Sequence, residues 1–260
     1  MVKRIFIGVT VLMACLLNMK AQTQVIAHRG YWKTEGSAQN SIVALEKAAE
    51  AHVYGSEFDV QMTVDGKLVV HHDSSIEGMK VAETPYKQLR TLRIKNGEQL
   101  PTLKKYLKRG KELDIQLILE IKPLPTSDME CQATAKIVKM VRRMRLEKQV
   151  EYISFSMNVC EQLVKLTPQS EIAYLNGDMA PAELKTRGIN GIDYHQNVII
   201  EHPEWVEEAH RESMKVNVWT VNKKDLMKRF IDMKVDYIIS HTMPSKVIKL
   251  YRKGVFVNDD

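Results

Sequence analysis

Three acids, two histidines, an arginine and a lysine occupy positions from which they could act together. Glu57 and Asp59, in Glu57-Phe58-Asp59, are two residues apart. Side chains alternate along a strand, so both carboxylates would leave the same face. Charges inside a domain are costly unless paired or bound to a metal, and hard oxygen ligands suit Mg2+ or Ca2+. A third acid, Glu120, follows the apolar run Leu117-Ile118-Leu119, and Lys122 comes two residues later on the same face. This placement reads either as an active-site rim or as a simple ion pair between Glu120 and Lys122. His28-Arg29-Gly30 supplies an imidazole that can move a proton near neutral pH. Its guanidinium can fork onto a phosphate, and its glycine permits a tight turn or close ligand approach. By itself, that tripeptide is better explained as a packed histidine at a strand end.

The elements that must hold these residues alternate. Short β-rich runs at residues 25–27, 56–63, 67–72, 115–121, 151–155, 171–175, 190–194, 216–220 and 236–240 are strand candidates. Amphipathic runs near 41–52, 128–145, 158–166, 181–186, 203–213, 223–232 and 244–251 are helix candidates. Strands with helices between them imply right-handed crossovers and a parallel sheet. The strand candidates number nine, so one is extra if eight close a barrel. Asp65-Gly66 lies between two alternating runs and signals a two-residue hairpin. That register pairs residues whose numbers sum to 131, setting Asp59 opposite His72 and gathering Glu57, Asp59 and His72 into one patch.

Taken together, the motifs resemble the glycerophosphodiester phosphodiesterase family. The resemblance rests on Ala27-His28-Arg29-Gly30, on residues 56–66, and on Val69-Val70-His71-His72-Asp73, in that order and spacing. Pro101-Thr102-Leu103, Glu120-Ile121-Lys122, Ser154-Phe155-Ser156 and Val218-Trp219-Thr220-Val221-Asn222 extend it over roughly residues 24–250. It implies an α/β fold, a single (β/α)8 TIM barrel with a short insertion at residues 74–99. It further implies metal ligands at Glu57, Asp59 and Glu120, acid/base histidines at His28 and His72, phosphate contacts from Arg29 and Lys122, and a pocket wall at Trp219. His71 takes the variable position beside the family histidine and is given no role. The implied reaction is metal-dependent hydrolysis of small glycerophosphodiesters to glycerol 3-phosphate and an alcohol, with Mg2+ or Ca2+ as cofactor.

Two segments depart from the family pattern. Ala38-Gln39-Asn40-Ser41 replaces the usual Pro-Glu-Asn-Thr, so Gln39 keeps hydrogen-bonding capacity without charge, while Ser41 can still cap a helix. Ser240-His241 replaces Thr-Asp after the last strand. These departures bear on substrate choice more than on the chemistry. Two other functions compete: a phospholipase or sphingomyelinase D-like lyase on intact lipids, and a non-catalytic phosphodiester-binding barrel. The first needs a membrane-docking rim, and no clear amphipathic membrane helix is present. Retention of both histidines and all three acids argues against the second.

The remaining sequence sets context. At 260 residues, 44% hydrophobic and without a Gly/Ser/Pro-rich linker, the chain suits one large barrel domain. Residues 1–21 carry a basic start at Lys3 and Arg4, an apolar run of about 13 residues and Ala21, the layout of a signal peptide. The run is too short to span a bilayer. The expectation is a domain at 22–260, exported to the periplasm or secreted, with lipoprotein processing at Cys15 as a lesser alternative. Removing the leader leaves 35 basic and 32 acidic residues, a mild balance that suits an anionic substrate. No nucleic-acid motif accompanies the basic clusters. Cys131 and Cys160 could form one disulfide or remain two thiols. Met140 and Met144 read as helix packing, and His195, His202 and His210 as surface groups. Tyr31 and Trp32 could line the substrate mouth or cover a loop.

Overall fold

The computed structural model describes residues 23–243. The chain runs β1 (Gln24–Ala27), α1 (Ile42–Glu50), β2 (Gly55–Met62), β3 (Leu68–Val70), β4 (Ser75–Ile76), β5 (Met79–Lys80) and α2 (Tyr86–Leu89). It continues through α3 (Leu103–Leu113), β6 (Gln116–Ile121), α4 (Ser127–Met144), β7 (Val150–Ser154), α5 (Met157–Leu166), β8 (Ile172–Tyr174) and α6 (Pro181–Thr186). Last come β9 (Gly191–His195), α7 (Gln196–Glu201), α8 (Glu204–Arg211), β10 (Lys215–Trp219), α9 (Lys224–Asp232) and β11 (Tyr237–Ser240). Eight parallel strands, β1, β2 and β6 to β11, pair in sequence order, and β1 joins both β2 and β11 to close the ring. The fold is a (β/α)8 barrel. The extra ninth strand is β3, which runs antiparallel on the outer end of β2.

Local chemistry starts the helices where the chain needs them. Ser41, Thr102, Thr126 and Ser156 each accept a backbone N–H of the first turn of α1, α3, α4 and α5, satisfying donors that the helix itself cannot. Asp128 and Glu130 sit in the first turn of α4 and Arg142 and Arg143 in its last, the arrangement its dipole favours. The strands carry two apolar faces. One packs outward against the helices through residues such as Phe58, Leu117, Leu119, Tyr152, Ile192 and Tyr194. The other fills the barrel with Ile26, Ile118, Ile153, Ala173, Leu175 and Ile239.

The hairpin register differs from the sequence expectation. Val60 pairs with Val70 and Met62 with Leu68, so facing residues sum to 130. The loop holds three residues, Val64, Asp65 and Gly66. Thr63 and Gly66 close its turn through a 2.8 Å N–H···O bond, and Gly66 takes φ +75°. A type I turn completed by a left-handed glycine needs that third residue. Asp59 therefore faces His71, whose N–H bonds the Asp59 carbonyl at 3.0 Å. Helix α3 and the short α7 are also additions to the expected elements. Residues 71–102 fold over β3 on a small core of their own, with Ile76, Val81, Leu89 and Leu100 packed around Val69.

Cys131 and Cys160 are free thiols, Cys160 buried within the core. Met140 and Met144 pack against the main core as expected. No helix among the described residues is long and apolar enough to cross a membrane. The leader at 1–21, Cys15 and the expected helix near 244–251 lie outside the described residues.

Candidate active site at the carboxyl end of the barrel

Glu57, Asp59 and Glu120 project into the barrel from adjacent strands, with Asp59 and Glu120 directly in register. One carboxylate oxygen from each lies within 4.8 Å of the others, and all three are buried. Asp59 is the best supported. Asn40 donates to its Oδ2 at 2.8 Å and accepts its N–H at 3.1 Å. Asn40 holds this position with φ +61°, a conformation asparagine tolerates better than most residues. Glu57 Oε2 accepts the Arg29 N–H at 2.8 Å, whereas Glu57 Oε1 is buried with no hydrogen-bond partner among the described residues.

Lys122 and Arg29 bring positive charge. Lys122 Nζ stands 2.7 Å from Glu120 and 3.3 Å from Asp59, so the Glu120–Lys122 ion pair exists but as part of a larger cluster. Arg29 lies 3.7 Å from Asp59 and donates to Gln39 Oε1 at 2.7 Å. Gln39 thus steers the guanidinium as the hydrogen-bonding capacity of its side chain suggests. Gly30 is needed because the chain turns hard against α1: a Cβ there would sit 2.6 Å from the Ala44 methyl.

The charges do not balance within the protein. Burial, then repulsion from Asp59 and Glu120, pushes Glu57 well above the usual carboxyl range. Burial and Asp59 push Glu120 up to about 8, against the pull of Lys122. For Asp59, burial acts upward, but Lys122, His72, Asn40 and Arg29 outweigh it and hold the group below its ordinary value. Three hard oxygens crowded at this distance, with Glu57 Oε1 lacking a partner, fit a divalent cation. The residues that would hold it are those read from the sequence.

His28 and His72 both reach the same cleft. His28 hangs from the end of β1, its Nδ1 3.1 Å from Thr220 Oγ and its Nε2 3.8 Å from Glu57. Burial first, then Arg29 and His241, hold it well below the ordinary imidazole range. His241 stacks on it with ring centroids 4.5 Å apart and planes parallel within 1°. Trp32 meets His241 edge-on at 5.3 Å, so Trp32 borders the site while Tyr31 packs into the core. His72 reaches the cleft by a route other than the expected register. The strand ladder stops at Val70, and Gln61 Nε2 ties the following turn through the carbonyls of His71 and Asp73 at 2.9 and 2.6 Å. His72 Nδ1 pairs with Asp73 at 2.7 Å.

Opposite the charges, the wall is apolar: Ile153, Phe155, Leu175, Trp219 and Ile239, with Asp193 among them. The cleft encloses about 440 Å³ including its mouth. Trp219 stands edge-to-face with Phe155 at 5.7 Å and donates its Nε1–H to the Asp193 carbonyl at 2.9 Å. His195, expected at the surface, is half-buried against Trp219 at 5.1 Å. His202 and His210 are exposed, though each meets an acid, Glu204 at 3.1 Å and Asp236 at 3.0 Å. Asn40, Gln61 and Asp193 were not singled out from sequence. The i,i+2 alternation from Asp59 could have found Gln61.

Acids, cations and histidines at the carboxyl-terminal rim of a parallel barrel define an enzyme of the TIM-barrel hydrolase kind. The chain belongs to the glycerophosphoryl diester phosphodiesterase family, whose sequence profile matches residues 28–244, and is a phosphoric diester hydrolase acting on glycerophosphodiesters. It is 30% identical over 249 residues to the glycerophosphodiester phosphodiesterase of Caldanaerobacter subterraneus subsp. tengcongensis, covering 90% of this chain and 99% of that one. A crystal structure of a glycerophosphodiester phosphodiesterase from Parabacteroides distasonis superposes with a TM-score of 0.87 at 48% identity, covering 90% of this chain and 99% of that chain. The same fold recurs, at 21% identity and TM-score 0.77, in an Oleispira antarctica phosphodiesterase in complex with the product sn-glycerol-3-phosphate, covering 88% of this chain and 96% of that one.

Proposed function

We propose that the enzyme splits glycerophosphodiesters derived from deacylated phospholipids into glycerol 3-phosphate and the free alcohol, and depends on Mg2+ or Ca2+ to do so. The observation that carries this reading is the convergence in one cleft of three carboxylates within 4.8 Å, two flanking cations and two histidines. Glu57, Asp59 and Glu120 hold the divalent cation, which when bound supplies Lewis-acid charge toward a phosphoryl oxygen. Arg29 and Lys122 bind the diester anion and neutralise charge as it builds on the phosphoryl group. Of His28 and His72, one takes the proton of the attacking hydroxyl and the other returns one to the leaving alcohol. The hydroxyl comes from water or from the neighbouring carbon of the glycerol. Trp219 and its apolar neighbours exclude water from the far side of the substrate. The basic and apolar pattern of residues 1–21 supports export to the periplasm or beyond, where such soluble diesters would be scavenged.

The test is release of glycerol 3-phosphate from glycerophosphocholine, glycerophosphoethanolamine and glycerophosphoinositol, first with EDTA and then with Mg2+ or Ca2+ restored. Metal-dependent release is the expected outcome. Turnover of micellar lipid with none of soluble diesters would move the assignment to a lipid lyase.

A further inference from the structure

Asp193 lies in the middle of β9, between Ile192 and Tyr194, which face the outer core. The carboxyl therefore enters the barrel, where it is 0% exposed and lines the apolar wall of the cleft. Neither carboxyl oxygen meets the geometry of a hydrogen bond. Asn217, its partner in the β9–β10 register, lies near enough for its amide to favour the charged form, yet its own Oδ1 is also unpartnered. Among the described residues no cation pairs with Asp193, whereas Lys122 stands beside both Asp59 and Glu120. Burial, with Glu120 and Glu151 adding to it against the pull of Asn217, raises it well above the ordinary carboxyl range. Buried polar groups in folded proteins are nearly always paired, and one left open calls for a reason.

Resting on the glycerophosphodiester reading above, we propose that Asp193 is a specificity residue that recognises a free hydroxyl of the substrate's glycerol moiety. The apolar wall suits carbon, and Asp193 is the one carboxyl set into it among the described residues, so it marks where an alcohol group can seat. A hydroxyl seated there donates to one carboxyl oxygen, and accepts from the other when the group carries its proton, giving these atoms the partners they lack. A cationic head group fits less well, because Arg29 and Lys122 line the same cleft.

The experiment compares glycerophosphocholine with the analogue lacking only the hydroxyl farther from the phosphate, reading choline release by the full-length protein, its Asp193→Leu variant and its Asp193→Asn variant. The wild type should prefer the glycerol substrate by roughly 10- to 100-fold in kcat/KM, the range of one buried hydrogen-bond partner. Asp193→Leu should lose that preference, turn over the analogue within about threefold of wild type, and melt no lower, since a partnerless buried acid is exchanged for an apolar side chain. Asp193→Asn, which keeps a donor and an acceptor, should retain part of the preference. The inference is overturned if the leucine variant slows both substrates alike, if the preference survives it, or if its effect vanishes when choline is replaced by a neutral alcohol. Should the leucine variant not fold, the relative inhibition of the wild type and Asp193→Asn by glycerol 3-phosphate and its deoxy counterpart decides the point, equal inhibition of the wild type by the two overturning it. A wild type that releases choline from neither substrate under any metal would instead defeat the enzymatic reading itself.

Discussion

At the amino-terminal end of the strands, Glu151 is 8% exposed and its Oε1 accepts from both the Tyr54 hydroxyl and, at 3.0 Å, Gln116. Nearby, Asp236 accepts from Lys215 at 3.1 Å and the Val216 N–H at 2.9 Å, and pairs with His210 at 3.0 Å. At the carboxyl-terminal end, Glu57 is 2% exposed and has one oxygen with no partner, within reach of two other carboxylates. The same residue type is buried to a similar depth in both places. Below, neighbours donate hydrogen bonds to it; above, they leave three carboxyl groups crowded together. The lower network ties strand starts to one another, while the upper cluster is held ready for a ligand.

The largest difference should appear when one side chain of each buried network is changed. Glu57→Gln is expected to lower kcat by roughly 10³-fold or more, since a proposed cation ligand is lost, and to raise the Tm of the metal-free protein. Tyr54→Phe, at the other end, should leave kcat unchanged. Steady-state kinetics with calorimetric metal titration checks the first, and a fall in activity of Tyr54→Phe would erase the contrast. His28→Ala belongs with the upper end but separates chemistry from charge. Turnover should drop by about 10²- to 10⁴-fold while metal still binds; full activity would remove His28 from the mechanism.

The pH dependence of stability sharpens the same contrast. Glu120 in the fold stays protonated up to about 8, whereas in the unfolded chain it releases its proton near the ordinary carboxyl value of about 4.3. Its folded pKa is raised, so its contribution is full below the unfolded value and is lost as pH rises toward 8. Thermal melts of the metal-free protein should therefore show Glu120→Gln gaining on the wild type between those limits. Saturating Mg2+ or Ca2+ should narrow the gap. A gap that does not vary with pH would mean that the cluster is relieved by something other than protons.

Smaller effects remain. Tyr54→Phe should cost about 1–3 kcal/mol by leaving buried Glu151 short of a partner, seen as a Tm lower by several degrees. Gln39→Ala should raise KM by roughly threefold to tenfold with little change in kcat, because the Arg29 guanidinium loses the acceptor that aims it. An unchanged KM would show that Arg29 is fixed by Asp59 alone.

Most of the upper end was legible because its chemistry lies on regular strands. Glu57 and Asp59 share a face by alternation and Glu120 ends an apolar run, while joining the three into one set takes the family resemblance. His72 was placed in the right cleft by the wrong register: Asp65-Gly66 marks a turn, but its loop length depends on backbone geometry that the dipeptide does not carry. Asn40 and Gln61 act through their own hydrogen bonds to Asp59 and to the turn that carries His72. Nothing in their type announces those partners. His195 read as a surface group because its contact with Trp219 arises across a β9–β10 register that no local pattern encodes. Asp193 reads in sequence as one acid within Gly191-Ile192-Asp193-Tyr194-His195, and only barrel closure turns it inward.

The stacking of His28 on His241 joins residues 213 positions apart, one from the first strand and one following the last. At a synthesis rate of about 5–20 residues per second, the histidine made early waits roughly 10–40 s for its cover. Until then β1 lacks its pairing with β11, and the ring cannot close. The barrel's joint and the histidine proposed to transfer a proton thus coincide, so a truncated or half-made chain has no route to a working cleft, however well its middle strands have assembled.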